Sequence, residues 1–557
     1  RGPFPPHVPF LLMYGVGLGY QFDIIDKREV DHLLILEPHK DIFFASLHTT
    51  DWKKIFQYFS QQGKSMLLMV GLSDVQTLSD TAKYIGKIGP FTTPFIYTYS
   101  QLKSRKIDQR LEDFYRGIGE SVANLGFFDD EQISLAHSIA NYKVKYPILR
   151  KIAQVGEKDA RSIPVMICGS GPSLDRAAPF IKEHQDKALV LSCGSSLRAL
   201  NRYGIKPDFH IEMERTKPVL EWVKLAADDD FIKDTILIAL NTVHPEVVSH
   251  FERQGLCLKG NDLGSIILRD AFKDNGHVEL YNSNPTVGNT GMAVATAMGF
   301  KNIFIFGIDF GFKEKGEHHT KMSLYKAIEE KGHESVAAFK TDGKDNYPYP
   351  GNEGDTVLTN DFYARARLNY EMILREFSDV ECRNGGVGVK IKGADFFQPE
   401  ESDFPFPPIA DKKALATKVF SEHFSNEGLL DLKDDASIKA IFEQVISVCE
   451  SLGATIHEVK NFDEANQFLA EHQGALMDML QKKEFNYIHQ LLKGSVGGLS
   501  FCLMRLLTCG EDEEAGVRLF NEGLEHYRQF FKEAVPMIEE GILLTNQTVK
   551  NLDQLVK

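Results

Sequence analysis

The chain has two tryptophans in 557 residues, no Cys-x-x-C pair among its seven cysteines, and no surplus of positive charge. Each shortage narrows the choice of function. With 63 Lys and Arg against 78 Asp and Glu, the net charge is −15 and the pI about 5.7. Sequence-independent nucleic-acid binding needs a basic footprint and is disfavoured. Cys168, Cys193, Cys257, Cys382, Cys449, Cys502 and Cys509 show no metal-ligand spacing, and several sit in apolar segments. That pattern reads as reduced thiols in a cytoplasmic protein. No apolar run approaches the length of a membrane span, and the opening Arg1-Gly-Pro-Phe-Pro-Pro-His carries no signal-peptide pattern. Neither G-x-x-x-x-G-K-S/T nor G-x-S-x-G occurs, which disfavours a P-loop kinase and a hydrolase elbow.

What remains is an ordinary globular composition, 43% hydrophobic and 25% charged, over a length that suggests about three or four domains. The most informative stretch is Val165-Met-Ile-Cys-Gly169-Ser170-Gly171-Pro172-Ser173-Leu174. An apolar strand runs into a glycine-rich turn and then an amphipathic helix. Gly169 and Gly171 permit a tight turn and close approach of backbone to ligand. Pro172 presets a helix start, Ser173 can cap it, and the exposed amides there suit a phosphate.

A second joint of this kind opens the chain. Leu11 to Tyr14 reads as a strand, Gly15-Val-Gly17-Leu-Gly19 as its turn into a helix, and Leu33 to Leu36 as the next strand, closed by Glu37. An acidic residue there often holds a ribose. The third glycine comes one residue early for G-x-G-x-x-G, and such joints also serve only to pack helix on sheet. Ser65 to Val70 is another strand, and residues 102–146 have a helical pattern.

Residues 151–400 alternate strand and helix, with strands expected at 163–168, 188–193, 207–213, 235–240, 278–282 and 302–307. That alternation predicts a parallel sheet covered on both faces, with ligands beyond its carboxyl ends. Four loops there hold the unusual residues. Besides the Gly169 loop, Cys193-Gly194-Ser195-Ser196 offers small hydroxyls for a ribose or base edge, or a plain helix cap. In His210-Ile-Glu212-Met-Glu214-Arg215 the two carboxylates share one strand face and either line a cleft or stand in solvent. Thr286-Val-Gly288-Asn289-Thr290-Gly291 begins a helix of small residues, a second anion or hydroxyl site unless it is only a close-packed cap, with Asp309 at the end of the following strand. A long loop, Gly311 to Thr359, then carries His318, His319 and His333; a base is expected from one histidine of the adjacent pair, or neither.

Residues 401–408 are Pro-rich and read as a linker, and 411–557 as a helical bundle with no active-site pattern. The expected architecture is therefore α/β: an N-terminal α/β domain (1–150), a central Rossmann-like parallel-sheet domain (151–400) and a C-terminal all-helical domain (401–557).

Taken in order, the loops resemble those of the motility accessory factors, which glycosylate flagellin in polar-flagellated bacteria. The matching residues are Gly169-Ser-Gly-Pro-Ser-Leu, Cys193-Gly-Ser-Ser, Lys206-Pro-Asp-Phe-His-Ile-Glu, Thr286-Val-Gly-Asn-Thr-Gly, Gly307-Ile-Asp-Phe with His318-His319, Gly351-Asn-Glu-Gly-Asp-Thr-Val-Leu-Thr and Asn384-Gly-Gly-Val-Gly-Val-Lys-Ile-Lys-Gly-Ala. Gly15-Val-Gly-Leu-Gly-Tyr, Ile35-Leu-Glu-Pro and the helical C-terminal region extend the likeness over most of the chain. The central loops are also similar to a bacterial sialyltransferase family that uses CMP-sialic acid. The resemblance implies a CMP-activated nonulosonic acid as donor, of pseudaminic or legionaminic type, and Ser or Thr of flagellin as acceptor. No cofactor is then required, and a divalent metal stays open. The implied nucleotide-binding residues are Gly169, Ser170, Gly171, Pro172, Ser173, Cys193, Gly194, Ser195, Thr286, Gly288, Asn289, Thr290 and Gly291. The sialyltransferases carry a histidine base before their last helix, and Tyr347 to Thr359 has none. Catalysis is left to Glu212, Glu214, Asp309, His318 or His319. A related domain occurs in archaeal-type pterin pyrophosphokinases, and a non-catalytic flagellin chaperone is a second alternative.

Overall fold

The computed structural model describes residues 7–22, 28–61, 63–72, 74–101, 108, 111–112, 115, 126–151, 162–269, 276–313, 318–323, 346–430, 435–482 and 486–542. His333 and most of 102–125 lie outside these. The chain folds as two compact units, Arg1–Phe128 with Ala440–Glu539, and Asp129–Lys439 with Glu540–Lys557.

The first unit is built on four parallel strands in the order β3-β2-β1-β4: β1 (His7–Tyr14), β2 (Glu29–Glu37), β3 (Ser65–Val70) and β4 (Ile96–Ser100). Alternate residues of β1 enter cores on opposite faces, Val8, Leu11 and Met13 on one and Phe10, Leu12 and Tyr14 on the other. The glycine-rich turn after β1 holds Gly15, Gly17 and Gly19 at positive φ, where only glycine is unstrained. Glu37 is 2% exposed, and both its oxygens are taken, by the amides of Val16 and His39 at 2.8 Å each. It pins the turn, with one backbone amide on each oxygen.

The helices Phe462–Gln481, Asn486–Cys509 and Glu513–Ile542 belong to this same unit. Phe468, Tyr527 and Phe531 join them, and the Gln473 amide donates to the Gly86 carbonyl at 2.8 Å. Residues 440–539 of the expected third domain thus belong with the first unit, and 401–439 with the second. Helix Asn486–Cys509 is, by length and composition, apolar enough to cross a membrane, contrary to the expectation from unbroken runs. Lys493 and Arg505 interrupt its sequence, and half of its most apolar window is buried within the unit.

The second unit contains an eleven-stranded sheet. Its strands are β5 (Ile148–Leu149), β6 (Pro164–Cys168), β7 (Leu189–Cys193), β8 (Phe209–Glu212), β9 (Ile236–Leu240), β10 (Arg253–Lys259), β11 (Glu279–Leu280), β12 (Asn302–Phe306), β15 (Glu381–Asn384), β16 (Ala394–Phe396) and β17 (Phe424–Ser425). A separate hairpin joins β13 (Tyr347–Pro350) to β14 (Thr356–Thr359). The order is β16-β15-β12-β6-β7-β8-β9-β10-β5-β17, with β11 beside β10, and every pair but β5–β17 is parallel. The parallel strands follow the expected alternation. Arg253–Lys259 and Glu381–Asn384 escape a periodicity reading because glycine and charged residues interrupt them.

Helices cover both faces. Among them, α1 (Phe128–Lys143) crosses the ends of β9 and β10; α2 (Ser173–His184) and α3 (Ser196–Tyr203) follow β6 and β7; α4 (Val287–Ala297) precedes β12; and α5 (Asp361–Glu376) precedes β15. Leu174, Ala177 and Ile181 of α2 enter the core on one face, and Met292 to Ala297 of α4 the core on the other. The Pro-rich stretch is part of this structure and not a linker. Phe404 is buried against Phe180 and Phe304, and stacks on His184 at 5.3 Å.

Candidate active site at the switch point of the sheet

β6 is the strand from which the sheet grows both ways. The chain proceeds through β7, β8, β9 and β10 on one side and returns to β12, β15 and β16 on the other. Neighbouring loops diverge at such a switch point and leave a crevice beyond the carboxyl ends. Here those loops are Gly169–Ser173 and Gly307–Asp309.

The two loops cross in direct contact. A β-carbon on Gly169 would stand 2.4 Å from the Gly307 carbonyl oxygen, and one on Gly171 would stand 2.3 Å from Asp309 Oδ2. Gly307 itself has φ +63°. The Gly169-loop amides are mostly used inside the protein: Gly169 donates to Phe306 O and Gly171 to Gly307 O, both at 2.8 Å, and Ser173 to Asp309 Oδ2 at 3.0 Å. Ser173 therefore does not cap its helix. Its hydroxyl accepts from the Gly307 amide at 3.2 Å, and Asp309 supplies the negative charge at the helix start. Burial raises the Asp309 carboxyl above its usual range, against hydrogen bonds from Ser173 and the 387–388 backbone. Pro172 has no amide to give. Ser170 keeps its amide without a partner among the described residues.

The hydroxyl of Ser170 meets that of Ser195 at 2.8 Å, which joins the first two loops. Gly194, at φ +50°, lies against the first residue of α4: its β-carbon would be 3.1 Å from Val287 Cγ2. Gly291 of α4 is equally close to β7, with 2.6 Å to Cys193 Sγ. Small residues thus bring α4 onto the sheet, as its sequence predicts. Cys193 is buried, and burial pushes its thiol well above the usual value, so it is an inert packing group.

The N-terminus of α4 divides the expected ligands into two sets. Thr286 and Asn289 form a reciprocal cap, and the Asn289 amide also donates to Ala366 O at 2.8 Å. The Thr290 hydroxyl donates to Ser283 O at 2.8 Å. Asn289 and Thr290 are fully buried, so they anchor the helix from within. The amides of Val287 and Gly288 have no partner among the described residues. These amides are open donors at the positive pole of an eleven-residue helix.

The carboxylates separate in the same way. Glu212, the last residue of β8, is 3% exposed and lies 3.2 Å from His210 Nε2. Glu214 stands beyond the strand end and is exposed, its carboxyl raised by the crowding chain and by Glu212. The two carboxylates are close enough to interact but differ in exposure. His318 and His319 are half-buried, and His318 packs edge-on to Phe312 at 4.2 Å. The next residue, Thr320, donates its amide to Ser170 O at 2.9 Å and its hydroxyl to Asp175. The pair is thereby held beside the first loop. The pattern hydroxyl–His-x-Glu across β7 and β8 received no role in the sequence, although its alternation places Ser192, His210 and Glu212 on one face.

Residues 135–315 match the family described as 6-hydroxymethylpterin diphosphokinase MptE-like, and residues 1–120 match the glycosyltransferase Maf N-terminal domain. A solved Maf glycosyltransferase from Magnetospirillum magneticum AMB-1 superposes with a TM-score of 0.67 at 21% identity, over 98% of this chain and 82% of that one. No curated protein matches. Residues 1–120 thus carry a glycosyltransferase Maf N-terminal domain and residues 135–315 an MptE-like domain, and the chain as a whole has the fold of a Maf glycosyltransferase.

Proposed function

We propose that the protein moves a nonulosonic acid, of pseudaminic or legionaminic type, from its CMP-activated form to Ser or Thr of flagellin in the cytoplasm, in support of flagellum assembly and motility. The observation that carries this reading is the joined hydroxyl pair Ser170–Ser195 beside the open amides of Val287 and Gly288, at the switch point. Hydroxyls and a helix N-terminus suit the ribose and single phosphate of CMP. Fixed N–H dipoles also stabilise the charge that develops on a departing phosphate, because they need not reorient.

The departing group is a phosphate monoester, so this route requires no metal. The transition state has oxocarbenium character, as in glycoside chemistry, and a carboxylate beside it is stabilising. Asp309 gives Oδ2 to the Ser173 helix start and its Oδ1 is sealed from solvent, and Glu214 stands exposed beyond the strand end. Glu212 is the carboxylate best suited to assist the acceptor hydroxyl. His318 and His319, held at Ser170, are the alternative bases. The seven free thiols support the cytoplasmic setting.

The test combines the protein, unglycosylated flagellin and CMP-pseudaminic or CMP-legionaminic acid, with the flagellin then weighed by mass spectrometry. A mass gain of one sugar per modified residue is expected. Folded protein that adds no mass from either donor counts against the reading. Binding of ATP with magnesium, and none of CMP, supports the pterin-kinase chemistry of the MptE-like match. Flagellin binding without turnover, undisturbed by Gly171→Ala, supports a chaperone.

A further inference from the structure

Ser192, His210 and Glu212 form a buried line across two neighbouring strands. The parallel register sets Ser192 opposite His210, and strand alternation puts Glu212 on the same face. Ser192 Oγ is 2.7 Å from His210 Nδ1, and His210 Nε2 is 3.2 Å from Glu212 Oε1. The imidazole is 0% exposed and stacks on Phe251 at 5.5 Å and 17°. An ionised carboxylate can only accept, so Nε2 carries a proton, while Nδ1 and the Ser192 hydroxyl share one hydrogen bond and the hydroxyl also lies 3.5 Å from the Phe209 carbonyl. Both ring nitrogens are occupied and the ring cannot turn.

Glu212 contrasts with this. Oε1 faces His210, and Oε2 meets no donor among the described residues. Oε2 is not one of the side-chain atoms sealed from solvent without a partner, so it is the oxygen left open to a ligand. We propose that His210 is a positioning residue: it fixes the Glu212 carboxylate at the end of β8 and turns Oε2 toward the acceptor hydroxyl.

This inference rests on Glu212 as the assisting carboxylate of the transfer. In that step the acceptor oxygen bonds to the anomeric carbon, and the bond from that carbon to the phosphate oxygen breaks. CMP leaves with the electron pair, and the acceptor proton passes to Glu212 Oε2. The titratable groups that feel the Glu212 charge are Cys193 on β7 and Glu214 beyond β8, while Arg215, Lys259 and Asp130 act on Glu214. None of them donates to Glu212.

The test compares His210→Phe, His210→Gln and Ser192→Ala in the full chain. Loss of the donor disfavours the ionised carboxylate. In His210→Phe, kcat is expected to fall about 100-fold with KM within about threefold, and the acid limb of kcat/KM to move up by about one pH unit. His210→Gln restores a donor and is expected to recover about tenfold of kcat. Ser192→Ala, the mildest change to folding, is expected to move the limb the same way by less.

Infrared difference spectra between each variant and its Glu212→Gln counterpart read the Glu212 carboxylate directly, with no turnover. Titration at a higher pH in His210→Phe than in wild type, reversed in His210→Gln, is expected even if CMP sugars prove not to be donors. Equal titration in folded variants, or a Gln variant no better than Phe, overturns the proposal. If no CMP sugar is transferred while the infrared shift is present, the proposed reaction fails and the positioning role stands.

Discussion

Gly171 and Asp309 occupy space that a single β-carbon would close. That atom on Gly171 would be 2.3 Å from the carboxylate that caps α2 and 2.8 Å from the Gly307 carbonyl. The second obstacle is backbone and cannot swing aside. Gly171→Ala must therefore either move the loop off β12 or displace the Asp309 cap. Overpacking of this kind costs about 1–3 kcal/mol. We expect Gly171→Ala to lower the urea midpoint accordingly and to abolish any shift of melting temperature by CMP. Unchanged stability would show that the loops separate more readily than their contact suggests.

Ser170 and Ser195 donate and accept within one pair, so their removal should be non-additive. Each single alanine variant leaves the other hydroxyl without its partner and loses a contact to the nucleotide. A loss of about fivefold in CMP affinity is expected for each, in line with about 1 kcal/mol per neutral hydrogen bond. The double variant should lose less than the product, because the coupling between the pair is removed only once. Calorimetric titration of CMP reads all three. Strict additivity would mean that the hydroxyls act separately, and no effect in any variant would place the ligand elsewhere.

Strand and helix alternation in the second unit was legible, since fully buried parallel strands must be apolar runs of four to six residues broken by turn residues. The glycine loops were legible too, but their direction was not. The Gly169 sequence looks the same whether its amides face a phosphate or the neighbouring loop. Only the crossing with Gly307 and Asp309 shows that Gly169, Gly171 and Ser173 spend theirs internally. The reverse holds at α4, where Asn289 and Thr290 read as ligand-facing and are fully buried anchors. His210 was hidden because its partners come from register between strands, which periodicity does not specify. The joining of the C-terminal helices to the first unit was hidden for the same reason. Amphipathic periodicity says that a helix packs, and not on what.

The pinned turn of the first unit gives a clean contrast with the second. Glu37 accepts two backbone amides at 2.8 Å while 2% exposed. Charge-assisted bonds of this kind contribute about 1.5–3 kcal/mol each. Glu37→Ala leaves the buried Val16 amide and the part-buried His39 amide without an acceptor, and is expected to destabilise the protein by about 2–3 kcal/mol in denaturant unfolding. Because the loss is local to a glycine turn remote in sequence from the Gly169 loop, the CMP affinity of the still-folded fraction should be unchanged. A drop in CMP affinity without a drop in stability would give the amino-terminal joint a ligand-binding role after all.

Acid sensitivity of the second unit should trace to His137. Its ring is buried under α1, with Nδ1 3.0 Å from the Thr242 carbonyl and its face against His244 at 4.9 Å. Burial, and then the His244 ring, lower its pKa to about 3. Between the ordinary histidine value, about 6.5, and that point, the unfolded chain holds a proton that the folded chain refuses. Stability from this group is therefore complete above about pH 6.5 and falls by up to about 1.4 kcal/mol for each pH unit below it. His32 and His472 in the first unit are lowered to about 4 and act in the same sense. His137→Gln keeps a donor for Thr242 and cannot titrate. The variant should be less stable than wild type at pH 7.5, from the altered packing, yet lose stability less steeply between pH 6.5 and 5. Denaturant melts at four pH values across that range measure the slope, and an unchanged slope in the variant would show that groups other than His137, such as His184 in the same unit or His32 and His472 in the first, set the acid sensitivity.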